Sequence, residues 1–292
     1  MSEGFLSFTF QHGFLSVLTF VWGACVGSFL NVCIYRIPRE LSIIRPRSHC
    51  PNCQQLIPWH HNIPLLSFVV LRGRCRHCGQ RISPRYFAVE LLTAVLFLLI
   101  WLKFTPNNTP SPLGLVPVSD WRLIPVYWLA VAGLILGAFV DLEHLIIPDR
   151  VTLGGIVAGL VLSAAVPALH NTVSVKQALF LSALGAAVGW GLLWLVGVVG
   201  TMIFRKDAMG FGDVKLLGAI GAFLGWPAVI FTIVVSSFFG SVVGLFLVLS
   251  GRKALQSRIP YGPYLALAAV LWILWGQAWL RAYVDLITFK LQ

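Results

Sequence analysis

The chain of 292 residues is 58% hydrophobic and 11% charged, and its mean hydropathy is +0.86. A soluble globular domain cannot bury so much apolar surface, which excludes soluble enzymes and indicates a protein whose solvent is lipid. The formal net charge of +11 could suggest a nucleic-acid partner, but the distribution of the basic residues along the chain favours another explanation.

Long apolar stretches predict an all-α polytopic membrane protein with about eight membrane-spanning helices. The first stretch is long enough to span a bilayer, lacks a cationic start and has no convincing cleavage site, so we expect no removable signal peptide. The sixth stretch is the shortest, and only Trp226-Pro227 separates it from the seventh. The predicted spans are residues 14–35, 86–104, 124–140, 151–169, 178–204, 214–226, 228–250 and 264–280.

These spans divide the chain into a first membrane helix (1–35), a small loop domain (36–85) and a seven-helix membrane core (86–292). With eight spans the loops alternate between faces, and one face carries sixteen of the twenty-one basic residues. The positive-inside rule makes that face cytoplasmic and places both termini outside. The excess of basic residues is then explained by the orientation of the chain in the membrane, and we expect no nucleic-acid partner. The sixteen are Arg36, Arg39, Arg45, Arg47, Arg72, Arg74, Arg76, Arg81, Arg85, Arg150, Arg205, Lys206, Lys215, Arg252, Lys253 and Arg258.

The loop domain contains two CxxC knuckles, Cys50 with Cys53 and Cys75 with Cys78. Each knuckle can turn two thiolates toward one ion, and four thiolates complete the closed tetrahedral site of a structural zinc. The alternative, two disulfides, is disfavoured in the reducing cytoplasm. A loop of this size has too little core to fold unaided, so one zinc ion would supply much of its folding free energy. We interpret Cys25 and Cys33 as buried packing residues, and His60 and His61 as surface or hydrogen-bonded residues.

An acid lies at the boundary of an apolar span in the segment Gly210-Phe211-Gly212-Asp213-Val214-Lys215. Gly210 and Gly212 let the backbone turn tightly and let a substrate strand approach closely. Lys215 is near enough in sequence to stabilise the carboxylate of Asp213 or to hold an anion. The alternative is a turn followed by an Asp helix N-cap, which the position also fits.

A second acidic cluster, residues 141–149, is predicted on the same face. Asp149 follows a proline and precedes an apolar span, so a helix-capping role explains it without catalysis. Asp141 ends a helix, where the macrodipole disfavours negative charge, and it has no evident local partner. Because an ionisable group at the edge of hydrocarbon is costly, it usually marks function. We therefore predict Asp141 and Asp213 as the catalytic pair, and as supporting residues Gly210, Gly212, Lys215 and Asp149.

The chemistry expected of such a pair is that of an aspartic protease. Two close carboxylates cannot both ionise readily at neutral pH. One is protonated and polarises the scissile carbonyl, while the other removes a proton from the attacking water. The groups titrate together, so the roles of acid and base are not assigned to individual residues. The sequence therefore predicts a membrane-embedded hydrolase.

In these residues the chain resembles the type IV prepilin peptidases, a family of bacterial leader peptidases and N-methyltransferases. The match covers nearly the whole chain, and six segments in the same order carry it. They are GSFLNV with RIP (27–32 and 36–38), the two knuckles with NIP (50–53, 62–64 and 73–78), YxxxE (86–90), the Asp141 segment (141–149), GxGDxKL (210–216) and IPYGPY (259–264).

The resemblance implies a GxGD-type intramembrane aspartic protease of the bacterial cytoplasmic membrane. Such enzymes cleave the short basic leader of prepilins and pseudopilins at the cytoplasmic face, then methylate the new amino terminus with S-adenosylmethionine. Carried onto this sequence, the resemblance makes Asp141 and Asp213 the catalytic pair and the four knuckle cysteines the zinc ligands. No glycine-rich nucleotide-binding loop is visible, so the methyl-donor residues are not assigned. Glu40 and Glu90 could contact cofactor or substrate, or could be structural.

Two other functions remain open from the sequence. The chain could be a transporter in which the two aspartates bind a cation or a proton, although related halves are not found and a transporter would not need the cysteine loop. It could also be a zinc-dependent sensor or assembly factor whose helices anchor the loop. That function predicts that Cys50 matters and Asp213 does not.

Overall fold

The computed structural model describes residues 2–105, 120–205, 209–250 and 259–290. In these ranges the chain is helical, and its only β-pairings are two isolated bridges in the cysteine loop, so the predicted all-α class is confirmed. A π-helical turn, Trp272–Gly276, joins the last two helices. The helices are α1 Ser2–Arg36, α2 Leu66–Val70, α3 Pro84–Phe104, α4 Leu123–His144, α5 Asp149–Ala165, α6 Val175–Phe204, α7 Phe211–Leu224, α8 Trp226–Leu249, α9 Gly262–Leu271 and α10 Gln277–Lys290.

Helices form at all eight predicted spans, and the chain is a multi-pass membrane protein. Two of the eight are short: α5 has 17 residues, the lower limit for a membrane crossing, and α7 has 14, which is below that limit. Of the basic residues used to orient the chain, Lys206, Arg252, Lys253 and Arg258 lie outside the described residues. Within the part of the chain that the structure describes, six segments are long and apolar enough to cross a membrane: Gly13–Arg39, Pro84–Phe104, Leu123–His144, Val175–Ile203, Trp226–Leu249 and Gly262–Leu280.

The chain divides into two compact units, Met1–Leu102 and Lys103–Gln292. In the first unit, α1 packs closely on α3 through two glycines four residues apart. A Cβ on Gly23 would lie 2.8 Å from the Cα of Ala94, and a Cβ on Gly27 would lie 2.7 Å from the Cα of Glu90. Small residues with this spacing let membrane helices approach closely. Most of α3 therefore lies in the same compact unit as α1 and the cysteine loop.

The second unit is built around α7, which contacts α5, α6, α8 and α9. Two glycines of α6, Gly185 and Gly189, lie directly against the backbone of α7 with no room for a Cβ. The hydroxyl of Ser182 also donates to the carbonyl of Ala222, at 2.7 Å. A helix that is apolar on all sides is buried inside a bundle. This packing explains why α7 is strongly hydrophobic although it is short, and it fixes the position of Asp213 in its first turn.

Candidate active site and metal centre

Asp213 lies in the first turn of α7, at the end of the helix where the macrodipole favours a negative charge. The N-cap residue is Gly210, and no side chain caps the helix, so the alternative interpretation of Asp213 as an N-cap is wrong. The side chain is 9% exposed, and its Oδ1 atom is buried without a hydrogen-bond partner among the described residues. A Cβ on Gly210 would lie 3.2 Å from Oδ2 of Asp213, so this glycine leaves room for the carboxylate.

Asp141 lies on α4, one turn before the helix ends at His144. It is 5% exposed. Its Oδ2 atom accepts a hydrogen bond of 2.9 Å from the backbone N–H of Gly262, the first residue of α9. The partner is thus 121 residues away along the chain, which is why no local partner is evident in the sequence. The hydrogen bond from the amide at the start of α9 offsets the electrostatic cost of a negative charge at Asp141, near the C-terminal end of α4.

The two aspartates are brought together around Ile147. A Cβ on Gly212 would lie 3.3 Å from Cβ of Ile147, and a Cβ on Gly262 would lie 3.1 Å from its Cδ1. The starts of α7 and α9 therefore converge on the segment that follows Asp141. Asp141 interacts electrostatically with Asp213, and neither forms an ion pair with a described lysine or arginine. Two buried carboxylates without a cation between them are suited to sharing one proton.

The other predicted supporting residues, Lys215 and Asp149, contact each other. The Nζ atom of Lys215 lies 2.7 Å from Oδ1 of Asp149 and 5.0 Å from the ring centroid of Phe211. The structure therefore pairs Lys215 with Asp149, not with Asp213. Asp149 is the first residue of α5, and its N-cap is Pro148 with no side-chain capping bond, so the predicted capping role of Asp149 is wrong. This ion pair links the starts of α5 and α7.

The four knuckle cysteines form one cluster, and their sulfur atoms all lie within 4.8 Å of one another. The Sγ–Sγ distance is 3.8 Å for Cys50 and Cys78 and 4.0 Å for Cys53 and Cys75. Four thiolates around a tetrahedral zinc, with Zn–S bonds of about 2.3 Å, place neighbouring sulfurs about 3.8 Å apart. The cluster therefore has the donor set and the spacing for one closed zinc site.

Both knuckles use the same backbone turn. The amide of Cys50 donates to the carbonyl of Gln55 at 3.0 Å, and the amide of Cys75 donates to Gln80 at 2.8 Å. The left-handed position of the second turn is Gly79, with a φ of 70°. Glycine adopts this conformation without steric cost. Two equivalent turns, each presenting two thiols, account for the compact cluster.

The thiols differ in how readily they ionise. Hydrogen bonds from the backbone of Gln80 and from the side chain of Asn52 lower the pKa of Cys78 to about 6. A backbone hydrogen bond from Gln55 favours the thiolate of Cys53, but desolvation and hydrogen bonds with the other three thiols outweigh it and raise its pKa to about 11. Four thiolates cannot coexist this closely without a cation, and a bound divalent ion would favour their deprotonation.

The remaining candidates have structural contacts. Glu90 is buried in α3 and accepts a hydrogen bond of 2.8 Å from the backbone of Leu65 in the cysteine loop. Glu40 is exposed, adopts a left-handed conformation and ends a short turn after α1. Cys33 is buried as predicted, but Cys25 is exposed because it lies on the opposite side of α1 from the packed face, so the prediction for Cys25 is wrong.

The fold and site define a multi-pass helical membrane protein with a buried carboxylate pair and a tetracysteine loop. Two family models match it: the bacterial peptidase A24 N-terminal domain at residues 21–104 and the type IV leader peptidase family at residues 128–245. The chain belongs to the type IV leader peptidase family. This membership agrees with the resemblance seen in the sequence motifs.

Several relatives of this chain are named prepilin leader peptidase/N-methyltransferase. The protein from Myxococcus xanthus is 41% identical, over 82% of this chain and 65% of that protein's length. The Aeromonas salmonicida protein is 34% identical, over 92% of this chain and 94% of its own length. The Pseudomonas aeruginosa protein is 31% identical, over 98% and 99% of the two chains. No solved structure matches the chain.

Proposed function

We propose that this protein is a bifunctional enzyme that cleaves the basic leader from prepilins or pseudopilins and methylates the new amino terminus with S-adenosylmethionine. The family membership and the shared name of relatives that match over most of their length support both activities. A transporter or a zinc-loop assembly factor would not account for that relationship. The buried pair of Asp141 and Asp213, without a cationic partner, is the observation that carries the peptidase activity.

In the proposed cleavage, Asp141 and Asp213 act on the peptide bond together. One carboxylate removes a proton from water as the water oxygen attacks the scissile carbonyl carbon. The other, protonated, donates a hydrogen bond to the carbonyl oxygen and then supplies the proton that the departing amine needs. The amide of Gly262 holds the Asp141 carboxylate at 2.9 Å, Gly210 leaves room for the Asp213 carboxylate, and Gly212 lets the start of α7 lie close to Ile147.

The proposed zinc ligands are Cys50, Cys53, Cys75 and Cys78, which would hold one structural ion. S-adenosylmethionine would supply the methyl group. The proposed orientation in the bacterial cytoplasmic membrane places the cysteine loop and both aspartates on the cytoplasmic side, with both termini outside, because one set of loops carries most of the basic residues. This orientation would meet a substrate whose leader is basic and whose following segment is an apolar helix.

The two proposed activities should separate in an Asp213→Asn variant. Purified native protein, given a prepilin and S-adenosylmethionine, is expected to release the leader and to methylate the shortened product, both detected by mass spectrometry. The Asp213→Asn variant should leave the prepilin intact, yet it should still methylate a peptide that is supplied already cut, because methyl transfer needs no activated water. Cleavage at the native rate by a folded Asp213→Asn variant would contradict the peptidase mechanism.

A methyl group added at Gly262 should displace the Asp141 carboxylate. In Gly262→Ala, the new Cβ would lie 2.9 Å from Oδ2 of Asp141 and 3.1 Å from Cδ1 of Ile147. Because a misplacement of about 1 Å can cost about 100-fold in rate, we expect leader cleavage to fall about 10- to 100-fold. The control is Gly133→Ala in α4, where a Cβ meets no atom within 4 Å. Equal cleavage by the two variants would argue against a role for the Gly262 contact.

A further inference from the structure

The short helix α2 of the cysteine loop lies beside the first turns of a membrane-spanning helix. The ring centroid of Phe68 in α2 is 5.3 Å from that of Phe87 in α3, and the amide of Leu65 donates to the carboxylate of Glu90 at 2.8 Å. The helix α3 begins at Pro84, and each residue advances the helix by about 1.5 Å. Glu90 is therefore about 9 Å into α3. With the bilayer entered at the predicted start of this span, these contacts put α2 at the membrane surface.

The outward face of α2 is apolar. Phe68 is turned toward α3, whereas Leu66, Val69 and Val70 are 57%, 62% and 68% exposed. Exposed apolar patches rimmed by polar residues are characteristic of sites that contact proteins or membranes. Trp59 nearby is 74% exposed, and tryptophan is enriched at membrane interfaces. The hydroxyl of Ser67 in α2 accepts a hydrogen bond of 2.9 Å from the amide of Ile63, which ties the segment containing Trp59 to α2.

Arginines follow directly after this apolar face. The amide of Arg72 donates to the carbonyl of Val69 at 3.1 Å, so the exposed Arg72 is fixed to the end of α2. Arg74 and Arg81, also exposed, lie opposite each other in an antiparallel bridge. Residues 41–89 contain seven arginines and no aspartate or glutamate. A zinc ion with four thiolates would carry two net negative charges, so most of this positive charge remains available to an external partner.

We propose that a docking patch, consisting of Leu66, Val69, Val70, Arg72, Arg74 and Arg81, binds the surface of a bilayer that contains anionic phospholipid. The apolar side chains would enter the boundary between headgroups and acyl chains, and the arginines would contact the lipid phosphates. The leader of the proposed substrate is itself basic, so like charge excludes it as the partner of this patch. Docking would hold the cysteine loop against the membrane independently of the two enzymatic activities.

The proposal can be tested with full-length protein in nanodiscs. One set contains only zwitterionic lipid and the other includes anionic phosphatidylglycerol, and both carry brominated acyl chains that quench nearby indoles. The fluorescence of Trp59 is obtained as the difference between the native protein and Trp59→Phe, since the chain has eleven tryptophans. We expect strong quenching of Trp59 in anionic nanodiscs, weaker quenching in zwitterionic nanodiscs, and loss of the difference at high salt.

A triple variant, Arg72→Gln with Arg74→Gln and Arg81→Gln, should weaken docking on anionic nanodiscs by about fivefold for each arginine removed, so that the quenching of Trp59 falls to the level seen in zwitterionic nanodiscs. The matched control replaces Arg45 and Arg47, exposed in the same loop but outside the docking patch, with glutamine. Thermal melting checks that both variants are folded. Equal quenching in the two lipid mixtures, or no quenching in either, would overturn the proposal. An equal effect of the control pair would overturn the assignment to this patch.

Discussion

Replacing either aspartate with asparagine is expected to lower leader cleavage by about 10⁴-fold or more, and replacing both should cost no more than replacing one. Asp141 and Asp213 come from different helices, are both buried and interact electrostatically. If they share one proton and act on one water, the loss of either removes the whole mechanism, because catalytic groups that act as a unit are strongly non-additive. The measurement is the rate of leader release by Asp141→Asn, Asp213→Asn and the double variant.

Asp149→Asn is the matched control for this set, since it makes the same chemical change on a neighbouring helix. Its carboxylate pairs with Lys215 and is 62% exposed. An exposed ion pair contributes at most about 1 kcal/mol, so we expect a small loss of thermal stability and cleavage within a few-fold of native. If the fold-reduction in cleavage rate of the double variant equalled the product of the two single fold-reductions, the aspartates would be acting independently. If Asp149→Asn lowered the rate of leader cleavage as much as Asp213→Asn does, Asp149 would belong to the catalytic site.

The positions of the helices could be predicted because lipid imposes a simple requirement on sequence. A segment surrounded by hydrocarbon must satisfy its backbone internally and expose apolar side chains, so hydropathy alone locates it. Hydropathy does not distinguish a helix in contact with lipid from one buried by other helices. The 14 residues of α7 have the composition of a span but are enclosed by four neighbouring helices. That enclosure depends on glycines such as Gly185, whose role appears only when α6 and α7 are packed.

The cysteine cluster was predictable for a different reason. Two CxxC knuckles each determine a local turn, so the spacing within each knuckle already specifies how its thiols are presented. The surroundings of the aspartates depend on pairings between distant segments. The partner of Asp141 is Gly262, and Lys215 contacts Asp149 across 66 residues. Local patterns suggested instead that Asp141 lacked a partner and that Asp149 capped a helix, and only the packing of α4, α5, α7 and α9 reveals the contacts.

Removing the proposed zinc from the cysteine loop is expected to unfold the loop. Of residues 41–83, only Cys50 and Gly73 are buried, so hydrophobic burial contributes little to its stability. Structural zinc sites contribute about 10–16 kcal/mol of binding free energy, far more than such a loop can gain from its own core. Chelation, or Cys78→Ser, should therefore abolish zinc content and make the loop rapidly cleavable by trypsin, which needs an unfolded backbone around each arginine. Zinc per chain and the rate of digestion are the two measurements.

The control for this experiment is Cys25→Ser, because Cys25 is exposed on α1 and lies outside the cluster of four. It should retain one zinc per chain and a trypsin-resistant loop. Asp141 and Asp213 belong to the other compact unit, so a structural ion in the loop would take no part in the cleavage reaction. During gradual chelation, leader cleavage should therefore decline only as the loop becomes sensitive to trypsin. Metal-free protein with a resistant loop but no cleavage would contradict this role and assign the ion to the reaction itself.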